Sequence, residues 1–284
     1  TKGTVTTDAN NLTFTPGSNK ALQFSGTAKI SGASGATIDI QGNIHGVDNS
    51  GSVEILEISV ATAGEVKVSG DIKAAAVNSA GANSTAGKIK TITLSGPGTG
   101  TGTGVYLGGE LVTAVDATGN NIDINGNVLL TDNTTLDTTA NNGTIDFSGK
   151  IDSSSATNNS LTLKSAAGSI TINGVIGGTA SRDIGALKIN PQTLGESTGD
   201  GAITLNGVGS STQIGITGAA DIGNNSTTKI DLAGSYYNID GATTLTTTTG
   251  ANKIEVTSAL TLETNDDDLH FKRGDVKLSN NLTI

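Results

Sequence analysis

A short motif recurs along the sequence: two apolar residues with one residue between them, and a glycine two positions after the second. This alternation places both apolar side chains on one face of an extended strand and the middle side chain on the other. The glycine permits a bend, or a positive φ, that a larger residue resists. The motif therefore predicts short β-strands separated by tight corners. Clear copies occupy residues 38–42, 66–70, 92–96, 122–126, 145–149, 170–174, 203–207 and 230–234.

The motif recurs at a nearly constant spacing. The first apolar residues of successive strands lie at positions 38, 66, 92, 122, 145, 170, 203, 230, 254 and 276. The average step is about 26 residues, within the roughly 20–50 residues that indicate a repeat architecture. One repeat has too few apolar residues to form a core, so neighbouring coils must stack. The sequence predicts an all-β fold, a parallel β-helix (β-solenoid) of about eleven coils, on the order of 50 Å long. Nearly no helix is expected, because no 3.6-residue apolar period is present.

The alternation also predicts the direction of individual side chains. Apolar residues of the motif are expected to be inward and buried, and middle residues to point outward. The predicted inward set is Ile38, Ile40, Val66, Val68, Ile122, Ile124, Ile170 and Ile172, and the outward set is Asp39, Lys67, Asp123 and Thr171.

Composition favours a stack over one compact core. The 284 residues include no Cys, Met or Trp, and the aromatic residues are four Phe and three Tyr. Compact cores use aromatic and Met side chains to fill irregular space. The polar stretches at 78–87, 97–104 and 153–160 are too short to be domain linkers and are predicted to be loops. We therefore assign residues 1–284 to a single continuous solenoid domain.

The charge and the cysteine content of the chain argue against several classes of partner and several kinds of site. The formal net charge of −10 argues against nucleic acid and anionic membrane surfaces. The longest apolar run, residues 74–77, is far too short for membrane insertion. The lack of cysteine excludes disulfides, thiolate zinc sites and thiol nucleophiles, and is compatible with an extracellular protein stabilised by repetition. The sequence opens with neither an initiator Met nor a signal peptide, so a mature product or a segment of a larger exoprotein is expected.

Several stretches resemble the β-strand repeats of bacterial exoproteins of the filamentous-haemagglutinin-like and autotransporter-passenger group. They are residues 143–151, 168–179, 184–189 and 237–245, and the resemblance covers about residues 120–262 well. It implies a right-handed parallel β-helix that is exported and displayed on the bacterial cell surface or shed. It further implies a role in adhesion, in building a surface layer, or in contact between cells.

The residues give little support for catalysis. His45 and His270 are 225 positions apart, which places them at opposite ends of a stack. Sugar cleavage needs a carboxylate pair or a base with a charge-stabilising partner. The chain has only two arginines, Arg182 and Arg273, and at most one ring of the Tyr236–Tyr237 pair is expected to face outward. No catalytic or cofactor-binding residue is assigned, and the chain is not expected to be an enzyme.

Two groups of carboxylates are candidate metal ligands. Asp123 and Asp146 would sit roughly 5 Å apart if they fall in adjacent coils, where a cation could bridge them. Asp266, Asp267 and Asp268 form a second cluster in a predicted loop. Calcium takes six to eight oxygen ligands and suits such groups. Neither cluster has the spacing of an EF-hand, and a solvated acidic surface is the favoured interpretation.

Two functions are compatible with the sequence. The first is a non-enzymatic extracellular rod that acts in adhesion or as a structural fibre or surface-layer element. Its expected partners are further copies of itself end to end or flanking repeats of the same polypeptide, and surface glycans or proteins of host or neighbouring cells. The alternative is a carbohydrate-binding or carbohydrate-cleaving β-helix protein. A lateral groove lined by clustered acids with an arginine would favour the alternative, and a smooth cylinder would contradict it.

Overall fold

The computed structural model describes residues 3–7, 11–17, 20–48, 54–74, 85–86, 89–98, 102–113, 120–154, 157–191, 200–265 and 267–284. Helix in these residues is limited to one 3₁₀ turn, Thr139–Asn141. The strands are β1 (Gly3–Thr7), β2 (Leu12–Phe14), β3 (Ala21–Phe24), β4 (Thr27–Gly32), β5 (Thr37–Ile40), β6 (Asn43–Asp48), β7 (Glu54–Val60), β8 (Glu65–Val68), β9 (Ile72–Ala74), β10 (Thr85–Ala86), β11 (Ile89–Ser95), β12 (Val105–Val112), β13 (Asn121–Asn125), β14 (Val128–Asp137), β15 (Thr144–Phe147), β16 (Ile151–Ser153), β17 (Leu161–Lys164), β18 (Ile170–Ile172), β19 (Leu187–Ile189), β20 (Ala202–Leu205), β21 (Ala220–Ile222), β22 (Lys229–Leu232), β23 (Tyr236–Asn238), β24 (Thr243–Val256), β25 (Leu260–Glu263), β26 (Leu269–Leu278) and β27 (Leu282–Thr283).

The strands form three stacked faces of a parallel β-solenoid. Nearly every strand pairs in parallel with the equivalent strand of the next coil; within the described residues, β10 pairs antiparallel with β6. The first face holds β1, β4, β7, β11, β13, β15, β18, β20, β22 and the ends of β24 and β26. The second face holds β2, β5, β8, the starts of β12 and β14, β16, β23, β25 and β27. The third face holds β3, β6, β9, the ends of β12 and β14, β17, β19, β21 and the starts of β24 and β26.

Like residues stack in ladders along each face. The solenoid makes about nine turns, slightly fewer than the predicted eleven coils. Along the third face, the inward ladder runs through ten rungs: Leu22, Ile44, Ile72, Leu111, Leu136, Leu163, Ile189, Ile222, Leu245 and Phe271.

The recurring motif occurs on more than one face of the solenoid. Val66 lies on the second face and pairs with Val105, 39 residues further along the chain. Ile92 lies on the first face, between Leu56 and Ile122. The sequence step from 66 to 92 therefore joins two faces and does not measure a coil.

The core lies on the axis of the stack and is built from aliphatic side chains. All eight residues predicted to be inward are buried, which confirms that prediction. The four residues predicted to point outward are half-buried, and each lies between two buried residues of its strand. Tyr237 is the larger of two fully buried aromatic residues, the other being Phe147. The Tyr237 hydroxyl donates a hydrogen bond to the Leu205 carbonyl (2.5 Å), which satisfies it within the core.

Candidate functional site

The two carboxylates proposed as a cation site are neighbours. Asp123 in β13 pairs with Asp146 in β15, so both point outward on adjacent rungs of the first face. Partial burial raises the pKa of Asp123, and the negative charge of Asp146 raises it further. Thr93 and Thr171 occupy the flanking rungs of the same ladder. The pair offers two carboxylates on adjacent rungs, and calcium binding here stays a prediction.

The second acidic cluster is open to solvent. Asp267 and Asp268 are exposed, and Asp266 lies outside the described residues. The Asp267 amide donates to the Thr264 carbonyl, and the Thr264 hydroxyl donates to the Asp267 carbonyl, so the backbone forms a closed turn. In the part of the chain that the structure describes, no three His, Asp or Glu residues gather as metal ligands.

The two histidines share a face and lie far apart on it. His45 is in β6, beside Lys73 of β9, and His270 is in β26, beside Thr244. Eight rungs of the third face separate them, or about 38 Å at the usual strand spacing. Burial lowers the pKa of His45, and Lys73 lowers it further. This arrangement confirms that the two histidines cannot form one site.

A lateral groove is the feature that sequence reasoning missed. It has a volume of about 410 Å3 and is open to solvent on one side. Its floor is the outer surface of the second face, where Lys67, Tyr106, Leu129 and Asp152 occupy four successive rungs. The residues that line it are Glu65, Gly102, Thr103, Tyr106, Leu129, Lys150, Thr179 and Arg182.

One end of the groove is organised around Tyr106. Its hydroxyl donates to Glu65 Oε1 (3.0 Å), and Lys67 Nζ lies 4.6 Å from the ring centroid. Lys67 also forms an ion pair with Glu65 Oε2 (3.0 Å). Burial raises the pKa of Tyr106, and the hydrogen bond to Glu65 raises it further, so the phenol is neutral near pH 7. These contacts fix the ring at the floor of the groove.

The other end is organised around a buried carboxylate. The Asp152 side chain is only 2% exposed, and Lys150 Nζ lies 3.4 Å from its Oδ2. The Thr179 hydroxyl donates to Asp152 Oδ2 (2.5 Å), its amide donates to Oδ1 (3.2 Å), and it accepts from Lys150 Nζ (2.6 Å). Both carboxylate oxygens therefore have partners, and Asp152 acts to hold the segment that carries Thr179.

Arg182 follows Thr179 in the groove wall and differs from the other charged residues. Its backbone is fixed, since its amide donates to the Thr179 carbonyl (3.0 Å) and its carbonyl accepts from the Ser153 amide (2.9 Å). Its half-buried side chain lines the groove. Among the described residues, no ion pair or side-chain hydrogen bond engages the guanidinium group. The groove therefore offers one unpaired cation beside a fixed aromatic ring.

The end coils leave apolar ladder residues exposed. At one end, Val5 is 44% exposed and borders a cavity of about 280 Å3 that Phe14, Leu22 and Phe24 also line. At the other end, the exposed residues are Val276 (37%), Leu278 (55%) and Ile284 (75%). Inward apolar residues in the middle of the stack are buried, so exposed inward residues are confined to its two ends.

Comparisons of the chain with protein-family models, curated protein sequences and solved structures return no match. The described residues contain no helical segment with the length and apolar character of a membrane span. The β-solenoid of repeated strands is established by the structure, whereas the resemblance to exoproteins rests on sequence pattern.

Proposed function

We propose that this protein is a non-enzymatic extracellular rod of the bacterial cell surface, acting in adhesion or as a structural fibre or surface-layer element. The observation that carries the proposal is the continuity of the three ladders through the stack. A ladder that repeats one register from coil to coil makes a stiff body whose length is set by the number of coils. Nine turns at roughly 4.8 Å correspond to about 43 Å of rod.

The extracellular assignment has one support. The sequence pattern resembles that of filamentous-haemagglutinin-like and autotransporter-passenger exoproteins. An antibody raised against the chain should label intact cells, and protease treatment of those cells should remove the label. Labelling that requires cell lysis would contradict the location.

The exposed end coils suggest the partner of the rod. Apolar ladder residues such as Val5 and Leu278 become covered when another coil stacks on them, and their strands gain hydrogen-bond partners. The next coil can belong to flanking repeats of the same polypeptide or to another copy of the chain. Surface glycans or proteins of host or neighbouring cells are the proposed contacts of the lateral faces.

Electron microscopy of the purified chain tests the rod directly. We expect particles of uniform width, and lengths in multiples of one stack if copies associate. Particles of irregular width, or spherical ones, would contradict the proposal.

A carbohydrate-binding or carbohydrate-cleaving protein is the second candidate. The lateral groove favours the binding version, because a fixed tyrosine ring and an unpaired arginine line it. The two nearby carboxylates, Glu65 and Asp152, are engaged by lysines and by hydroxyl groups. They are poorly placed to act as the free acid and base that glycoside cleavage needs.

A further inference from the structure

The groove carries a positive charge in a negatively charged protein. Among the residues that line the groove, Lys150 and Arg182 are positively charged and Glu65 is negatively charged, so the local sum is +1. The whole chain carries −10. An anionic ligand is therefore repelled by most of the surface and attracted to this groove.

Arg182 is the group in the groove that can accept such a ligand. Lys67 already forms an ion pair with Glu65 and a cation–π contact with Tyr106. Lys150 already forms an ion pair with Asp152 and a hydrogen bond with Thr179. A guanidinium group with no partner can bind a carboxylate through two parallel hydrogen bonds. The backbone hydrogen bonds of Arg182 hold the residue in place before any ligand arrives.

The floor of the groove has an apolar centre with polar groups around it, which matches a sugar ring with its apolar CH face and its hydroxyl groups. Tyr106 and Leu129 are on successive rungs and form an apolar strip about 5 Å across. Around the strip, Thr103, Thr179 and Glu65 supply hydroxyl and carboxylate groups. The CH face of a sugar can pack on the strip while its hydroxyls reach these polar groups. The volume of about 410 Å3 is at the lower end of the about 300–1,000 Å3 typical of ligand pockets.

A peptide is a poorer fit to the same surface. Peptides bound along a sheet gain most of their affinity from main-chain hydrogen bonds to an unpaired edge strand. Here β12 is paired on both sides, with β8 and with β14. The backbone of the floor is therefore already saturated, and a peptide would find side-chain contacts alone.

We propose that this groove binds a sugar unit bearing a carboxylate, as found in acidic polysaccharides, with the carboxylate on Arg182 and the ring on Tyr106 and Leu129. The proposal rests on the carbohydrate-binding candidate and narrows it to one ligand class and one site. The rod itself does not depend on it.

Calorimetric titration of the full chain tests the site. The probes are pentagalacturonate, its fully methyl-esterified counterpart and pentaglutamate. We expect pentagalacturonate to bind, with affinity falling as salt is added, and the other two to bind at least tenfold more weakly. Arg182→Gln should weaken pentagalacturonate binding about tenfold or more, because a charge-assisted pair is lost. Tyr106→Leu should weaken it several-fold through loss of the ring.

Two variants provide controls. Arg273→Gln removes the other arginine, which is exposed in β26 far from the groove, and should leave the affinity within about twofold. Arg182→Lys keeps the charge without the two-pronged geometry, so its affinity should fall between those of the wild type and Arg182→Gln. Unfolding temperatures equal to that of the wild type establish that each variant is folded.

The remaining outcomes separate the two proposals. Binding of pentagalacturonate that Arg182→Gln leaves unchanged overturns the groove assignment and keeps carbohydrate binding. Equal, Arg182-dependent binding of pentaglutamate overturns the saccharide class. If pentagalacturonate does not bind, this inference is wrong. The rod proposal is tested separately, by electron microscopy.

Discussion

Inside the solenoid, each apolar residue is enclosed by equivalent residues of the coils on either side. Ile172 lies between Phe147 and Leu205 on the first face, and all three side chains are fully buried. Burying one such side chain contributes about 1.5–3 kcal/mol. Because these side chains have no exposed surface, a charge placed at such a position would be removed from water.

Ile172→Asp tests this enclosure. We expect the free energy of unfolding to fall by more than about 4 kcal/mol, because the variant buries an unpaired carboxylate. Thr162→Asp is the matched control: its side chain is half-buried and outward, beside Lys188, and should change stability by less than about 1 kcal/mol. Chemical denaturation measures both. Equal stability of Ile172→Asp and wild type would contradict the core assignment.

Outward residues also form ladders, and one of them makes a pH-dependent contribution. Lys229 Nζ lies 2.7 Å from Glu255 Oε2, and Lys277 Nζ lies 2.7 Å from Oε1. Ser279 donates a further hydrogen bond to the same carboxylate. The hydrogen bond from Lys229 and then that from Lys277 lower the pKa of Glu255 to about 2.

Because the pKa of Glu255 is lower in the folded chain than in the unfolded chain, its stabilising effect is present above about pH 4.5 and is lost as the pH falls toward 2. Glu255→Gln should therefore lower the unfolding temperature at pH 7, and the difference from wild type should shrink near pH 2.5. Glu263→Gln, which removes a carboxylate with no ion pair among the described residues, is the control. A difference that stays constant with pH would show that the lysines do not lower this pKa.

At the scale of the strand and its corner, glycine has a different function from the one that the motif suggests. Among the glycines that end first-face strands, Gly126 and Gly207 have positive φ, as predicted. Gly96, Gly149, Gly174 and Gly234 do not. At the last three, an added Cβ would overlap the backbone of the preceding coil. Glycine is needed there because successive corners stack in direct backbone contact.

Gly149→Ala tests that close approach. Its Cβ would collide with the backbone of Gly126, which cannot move without separating two coils. We expect a loss of about 2 kcal/mol or more in unfolding free energy. Gly17→Ala is the control, because the nearest atom to its added Cβ is 3.9 Å away, in a flexible lysine. Its effect should be neutral or stabilising by about 0.5 kcal/mol. Similar effects of the two substitutions would contradict the stacking explanation.

At the scale of the whole molecule, the stack is a rod with covered sides and open ends. The first-face ladder begins with the rung of Val5 and reaches the rung of Leu278. A second copy stacked in the same register would place its Val5 beside Leu278 of the first. The absence of native cysteine makes this contact accessible to engineered disulfides.

A chain carrying Val5→Cys and Leu278→Cys should form linear disulfide-linked oligomers if copies stack end to end. Paired Cα atoms about 4.8 Å apart suit a disulfide. Val5→Cys with Val276→Cys is shifted by two residues, to about 7–8 Å, and should cross-link much less. Non-reducing electrophoresis after mild oxidation gives the comparison. A monomeric band for both variants would contradict stacking of copies and favour flanking repeats of the same polypeptide.

The sequence by itself determined the all-β class, the repeat and the inward set, because alternation decides which face of a strand is apolar. The tertiary structure decided which strands stack, pairing Val66 with Val105 and Ile92 with Ile122. The local motif is the same on different faces, so it identifies an inward residue without identifying its rung. The groove could not be predicted for the same reason, because Tyr106 and Arg182 are far apart in sequence. They reach one surface only through the stacking of coils of unequal length, with the segment that carries Thr179 and Arg182 held by Asp152.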